Sequence, residues 1–202
     1  MPQQKPATTS VPVHELIARR WSPRAFDRDQ PVTREQVLAL LEAARWAPSC
    51  FGDEPWRFLV WDRNRDAAAW QRAFACLGEG NQKWVANAPL LLAAVASSAF
   101  DHNGKPNRWA QYDTGAASEN LCLQACALGL AAHQMGGFDA EKLKREFAIP
   151  DGYTPMAMIA VGYRAPADNL EPDYRERELA PRKRKAIETR FFEGAWGAGL
   201  NL

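Results

Sequence analysis

Apolar positions along the chain follow two periods, and each period marks a different kind of element. Leu16 and Ile17 give residues 13–20 one apolar side behind Pro12, a residue tolerated in a first helical turn, so a short helix is predicted there. Thr33-Arg34-Glu35-Gln36 has the form of a capping box, and Val37, Leu38, Leu41 and Ala44 line one face of the helix it opens until Pro48 stops it. Asp66 caps a further helix on which Trp70, Phe74 and Leu77 recur at i, i+4 and i+7. A helical turn follows Gly78-Glu79-Gly80 over 81–87, a long helix spans 113–130, and Asp139 caps another over 140–147. Strands are predicted at 57–62, at 90–96 and at 155–163. The middle one is a continuous apolar run between Pro89 and Ser97-Ser98, the mark of a strand buried on both faces at the centre of a sheet. Met135-Gly136-Gly137-Phe138 and Ile149-Pro150-Asp151-Gly152 break the pattern as turns.

Past Arg164 the pattern changes. Twelve of the twenty residues 171–190 are charged, in both signs, and the apolar Phe191-Phe192 and Trp196 come after them. Such a tail has no core of its own, so it stays mobile or packs along another surface. The long helix has a face of small residues, Gly115, Ala116, Ala117, Ser118, Ala125 and Ala127. That face suits close approach of another helix, either within the chain or in a dimer.

Composition narrows the class. At 202 residues and 47% hydrophobic, the chain has the length of one domain with a sizeable core, read here as one α/β unit with a mobile tail. Lysine and arginine number 25 against 24 acidic residues, a net charge of +1, which gives no electrostatic footprint for nucleic acid or an anionic membrane. No apolar run reaches the roughly 18–20 residues of a membrane helix, and the polar first ten residues show no secretory signal. A cytoplasmic location is expected, with the four cysteines reduced.

Several reaction classes are disfavoured by missing motifs: there is no Gly-x-Gly-x-x-Gly after a strand, no Walker loop, no Gly-x-Ser-x-Gly and no His-Glu-x-x-His. Three histidines make a histidine triad or a multi-histidine metal site improbable, and no metal is expected. Cys122 and Cys126, four apart on one helix, read as small core residues. What remains is arginine. Arg20, Ser22 and Arg24 alternate along an extended stretch, so their side chains converge on one side, and Arg182-Lys183-Arg184 answers them late in the chain. Taken singly, such a cluster is a solvated surface; taken together, guanidinium groups at separated places suit one bound phosphate.

These segments, with the loop Pro48-Ser49-Cys50-Phe51-Gly52-Asp53-Glu54-Pro55-Trp56, Asn81 before an Ala-Pro strand and the pair Gly136-Gly137, resemble the nitroreductase family over nearly the whole chain. The resemblance implies a single α+β domain of three layers (α/β/α), a central, mostly antiparallel sheet flanked by helices, FMN as cofactor, and NADH or NADPH as electron donor. It also implies a homodimer in which residues 164–202 swap onto the partner subunit, while residues 1–11 form a flexible N-terminus. On its terms Arg20, Arg182 and Arg184 hold the phosphate, Ser22 and Arg24 lie near the pyrimidine edge, and Pro48, Ser49 and Cys50 come from the partner. Trp21, Phe51, Gly52, Asn81 and Gly136 join the cofactor contacts. Gly137 and Arg24 take the catalytic roles: the Gly137 N–H faces flavin N5, and the Arg24 charge makes the ring easier to reduce.

The implied function is electron transfer from NAD(P)H through FMN to a flat acceptor, such as a nitroaromatic, a quinone or a flavin, in ping-pong order. Two departures from the family pattern keep alternatives in view. Asp53-Glu54 stands where an amide usually precedes Pro-Trp, and two carboxylates beside the ring disfavour an anionic donor, which leaves room for an oxidase, desaturase or dehalogenase with a dedicated substrate. Trp84 stands where some members have a basic residue, a ring shielded by Trp side chains would suit a non-catalytic flavin-binding protein, and Trp21, Trp84 and Trp109 are the candidates to gate the ring. Cys50 is either a passive small residue or a reactive thiol.

Overall fold

A computed structural model describes residues 4–200. The sheet is built around the apolar run: β2 (Leu90–Ser97) is buried at every position and lies between β1 (Trp56–Asp62) and β4 (Tyr153–Gly162). All pairings are antiparallel, in the order β1-β2-β4-β3, with Val60 and Ile159 flanking Leu92 in register. Because successive strand residues face opposite sides, β2 feeds two cores at once. Leu91, Ala93 and Val95 pack with Trp61, Trp70, Trp84 and Leu143, beneath α3 (Ala67–Phe74), α4 (Glu79–Val85) and α6 (Ala140–Glu146). Leu90, Leu92 and Ala94 pack with Leu40, Leu121 and Ile159, beneath α2 (Arg34–Arg45) and α5 (Ala110–Ala127). The result is the three-layer, helix-flanked antiparallel sheet that the resemblance implied.

Local signals explain most boundaries. The capping box at α2 forms as written: the Gln36 N–H donates to Thr33 Oγ1 and the Thr33 N–H donates to Gln36 Oε1. Asp66 and Asp139 each accept an N–H three residues on, capping α3 and α6. A short α1 (Glu15–Arg19) precedes α2.

Several expectations are corrected. On α2 the fully buried position is Leu40, while Leu38 is half exposed, because the helix turns Val37, Leu40 and Ala44 toward the sheet. Helix α3 stops at Phe74, and Leu77 instead bridges to Phe138. Helix α4 begins two residues before the expected turn. The long helix starts at Ala110 and ends at Ala127, where Gly129 takes a left-handed φ of 75° that closes it. The chain then enters β3 (Ala131–Met135), an edge strand that no period announced: Ala-Ala-His-Gln-Met has neither alternation nor β-branched residues. Within the charged tail, Pro172 opens α7 (Pro172–Leu179).

Leu121 is fully buried where α5 meets the sheet. Leu121→Ala is expected to lower unfolding stability by about 2–5 kcal/mol, through lost burial and the cavity left behind. Urea denaturation of the two proteins measures it, and a loss below about 1 kcal/mol would mean that this face closes up on itself.

Candidate functional site

Residue Arg20 caps α1 in an extended conformation and leads into an arm in which Trp21, Ala25 and Phe26 turn inward. Phe26 bridges to Arg164 at the end of the sheet, and the Asp27 N–H donates to the Tyr163 carbonyl. The arm is thereby fixed beside β3 and β4. Arg20 Nε lies 3.2 Å from Glu119 Oε1 on α5. The Arg24 guanidinium lies 5.9 Å over the Trp84 ring, and Trp84 in turn packs against Phe26 and His133. Trp84 and Trp21 are both buried, so neither is a surface shield, whereas Trp109 is 42% exposed. The Trp21 indole N–H is buried without a hydrogen-bond partner among the described residues.

His133 hangs beneath this arm, with Nδ1 2.9 Å from the Pro23 carbonyl. Burial pulls its pKa from 6.5 down to about 4, and the Arg24 and Arg20 charges push the same way against the carbonyl contact. The ring is neutral at physiological pH, with Nδ1 carrying the proton to Pro23.

A second cluster faces the arm across a cleft lined by Arg24, Asn81, Trp84, Gly137, Tyr174 and Arg177. The Gly137 carbonyl accepts from Asn81 Nδ2 at 2.9 Å and from the Gly78 N–H at 2.9 Å. A Cβ on Gly137 would lie 2.8 Å from Asn81 Nδ2, so a larger residue here would displace the Asn81 amide from the Gly137 carbonyl. The Gly137 N–H makes no hydrogen bond among the described residues. Gly136 is adjacent, with open space where its Cβ would stand.

The tail supplies the third group. Arg182 Nη1 donates to the Lys5 and Ala18 carbonyls at 2.9 and 2.7 Å. Burial and then the neighbouring Arg20 and Arg184 charges pull the Arg182 pKa below its ordinary value. Arg184 lines a groove with Thr9, Val11 and Ile187. Among the described residues no carboxylate pairs with Arg24, Arg182 or Arg184.

The loop at Pro48 is elsewhere within this chain. The Cys50 N–H donates to Asp113 Oδ2, Ser49 Oγ accepts from the Glu54 N–H, and Gly52 helps line a shallow depression with Asp101 and His102. Phe51 stands 83% exposed at a left-handed φ of 59°, strained for an aromatic residue, with its edge to Phe100 and His102. Asp53 does not present a free charge: its side chain is 2% exposed and takes the Asp101 N–H, His102 Nδ1 and Asn107 Nδ2.

The chain thus gathers Arg20, Trp21, Ser22 and Arg24 with Arg182 and Arg184 on one side, and sets Asn81, Gly136 and Gly137 across the cleft. Pro48 to Gly52 are not brought to either group. Three participants escaped the sequence reading: His133 on the unannounced β3, and Tyr174 and Glu178 on α7. Tyr174 Oη donates to the Gly80 carbonyl at 2.7 Å, and the buried Glu178 accepts two main-chain N–H groups of the arm. The proline at the start of α7 was the one available signal.

Comparison with known proteins places this architecture. The model of the nitroreductase family matches residues 17–163. The chain is 32% identical over 158 residues to a protein of Streptomyces coelicolor named as an NADH dehydrogenase/NAD(P)H nitroreductase, covering 68% of this chain and 78% of that one. A 15.4 kDa Mycolicibacterium smegmatis protein, itself uncharacterized, is 40% identical over 93 residues, 46% of this chain and 63% of that one, so this match spans less than two thirds of that relative. A solved structure of an oxidoreductase containing FMN superimposes with a TM-score of 0.90 at 36% identity, over 98% of this chain and 100% of that one.

The low pKa of His133 predicts an acid-dependent stability. The folded state holds the neutral ring, so protons bind preferentially to the unfolded chain; the folded state keeps its full advantage above pH 6.5 and loses it as pH falls toward about 4. His133→Gln, which retains a donor for Pro23, is expected to remove roughly 2–3 kcal/mol of the destabilisation between those limits. Denaturation midpoints at pH 7.5, 6 and 4.5 check it; parallel curves for the two proteins would sink the assignment.

Proposed function

The chain belongs to the nitroreductase family, and from that premise we propose that it is an FMN-dependent NAD(P)H oxidoreductase working as a cytoplasmic homodimer. The observation that carries the reading is the convergence of Arg20, Arg182 and Arg184, from two ends of the chain, whose like charges repel one another and of which the latter two have no carboxylate partner among the described residues. A phosphate dianion resolves that repulsion through charge-assisted hydrogen bonds. The rest of the site suits a flat ring: a main-chain N–H at Gly137 without a partner among the described residues, no side chain there to stand in the cleft, and a guanidinium at Arg24.

FMN held by these residues would supply the redox chemistry, accepting hydride from NAD(P)H and reducing a flat acceptor such as a nitroaromatic or quinone in ping-pong order. The residues orient and polarise. Arg20, Arg182 and Arg184 hold the phosphate; Ser22 and Arg24 address the pyrimidine edge, where positive charge favours reduction. The Gly137 N–H would donate to flavin N5, and Asn81, bonded to the Gly137 carbonyl, fixes the tilt of that peptide. Trp21 and Gly136 support the same contacts. The neutral His133 ring adds no charge beneath Arg24.

In this reading Pro48, Ser49, Cys50, Phe51 and Gly52 reach the site of the partner subunit, as does the end of the 164–202 tail beyond Arg184, while α7 and Arg182 stay on their own chain, which folds as one domain. Exposed Phe191 and Trp196 support such an arrangement, since they have little to cover them in one chain. The dedicated-substrate alternative drew on two carboxylates beside the ring. The inward turn of Asp53 removes one of them and favours the nicotinamide donor.

Titration of the apoprotein with FMN tests the clamp. Arg20→Ala and Arg184→Ala are each expected to weaken FMN binding by about 1.5–3 kcal/mol. Unchanged affinity in both variants would remove the phosphate assignment. An anaerobic absorbance scan tests the donor: the yellow protein should bleach on adding NADH or NADPH, and a spectrum indifferent to both would favour the dedicated-substrate enzyme.

A further inference from the structure

Helix α7 docks on the rest of the chain in an unusual way. Its one buried residue is not apolar but Glu178, 2% exposed. Both carboxylate oxygens point into the arm, where Oε2 accepts the Arg24 N–H at 2.9 Å and Oε1 accepts the Ala25 N–H at 3.3 Å. No cation forms an ion pair with the carboxylate among the described residues. Lys5 is near enough to be influenced by its charge, yet Lys5 Nζ donates to the Glu178 main-chain carbonyl instead.

Burying a carboxylate is costly, and a leucine would fill a similar volume without that desolvation cost. What a leucine lacks is two acceptor oxygens set side by side, the geometry that matches two successive N–H groups of an extended chain. The two N–H groups held are those of Arg24, whose side chain crosses Trp84 into the cleft at Gly137, and of its neighbour. The same helix lines that cleft with Tyr174 and Arg177, and Tyr174 Oη holds the Gly80 carbonyl.

We propose that Glu178 is a positioning residue of the flavin site, setting the backbone from which Arg24 reaches the pyrimidine edge and coupling the C-terminal tail to cofactor binding. The proposal rests on the reading of the Arg24 cleft as an FMN site. Through these two N–H groups a helix outside the matched part of the chain acts on the electrostatics of the ring.

The test is a double-mutant cycle on FMN affinity, measured by fluorescence titration of apoprotein made from wild type, Glu178→Ala, Arg24→Ala and the double variant. Glu178→Gln is included because it keeps one acceptor oxygen and the side-chain volume. Glu178→Ala is expected to weaken FMN binding about tenfold, equivalent to about 1.4 kcal/mol, and Glu178→Gln less than that. The decisive quantity is the coupling: in the Arg24→Ala background the Glu178→Ala penalty should largely vanish, because the residue through which it acts is already gone. Circular dichroism and urea denaturation record the fold of each variant, and the Gln variant carries the cycle if the Ala variant does not fold. Wild-type affinity in a folded Glu178 variant, or a penalty undiminished without Arg24, overturns the positioning role while the FMN reading stands. Failure of the wild-type apoprotein to take up FMN overturns that reading and the proposal with it.

Discussion

A carboxylate withdrawn from water must be answered by donors, and this chain answers three of them with main-chain N–H groups. Asp53 takes the Asp101 N–H, Asp113 takes that of Cys50, and Glu178 takes those of Arg24 and Ala25. In each case a segment without regular structure is held by an acid on another part of the chain. Loops carry few hydrogen bonds of their own, so a buried acceptor at one point fixes a stretch that would otherwise drift. The arm, the Pro48 loop and the 98–107 connection are each held in this way, and some of the residues proposed to handle the cofactor, Arg20, Ser22 and Arg24 among them, ride on the first two.

The sheet supplies the counterweight. With β2 buried on both faces and paired on both edges, the centre of the molecule has no polar side chain to satisfy before Ser97, and its rigidity lets the periphery bear charge. Arginine is concentrated where that periphery meets the two chain ends. Glu119, facing Arg20 from α5, has its pKa raised by burial and lowered in part by that guanidinium. The acid and the arginine are therefore matched at the edge of the cluster, while Arg182 and Arg184 have no carboxylate partner among the described residues.

Much of this was legible in the sequence. The apolar run at 90–96, the capping box at Thr33 and the caps at Asp66 and Asp139 are local signals whose meaning does not depend on distant residues, and they appear as read. Leu38 and β3 escaped because their status is tertiary. Which side of α2 is covered depends on where α5 lies, and Ala131–Met135 becomes a strand because β4 offers it an edge. The glycine pair and the arginines could be named as a set, since motif and charge are properties of sequence. That a glutamate amid twelve charges would be the buried residue of α7 could not, because burial of one acid among several equivalent ones is decided by which faces an unpaired backbone.

The two ends of the chain are knotted into the same place. Lys5 reaches Glu178 across 173 residues, Arg182 returns to the Lys5 carbonyl, and the Ala7 N–H donates to the Ala18 carbonyl. Such closure ties the fraying tendencies of beginning and end into one cooperative unit, so that opening of either strand of the knot exposes the other. A protease cut, a fusion tag or a truncation at one terminus is thus felt at the opposite one, and through it at the arm that both enclose.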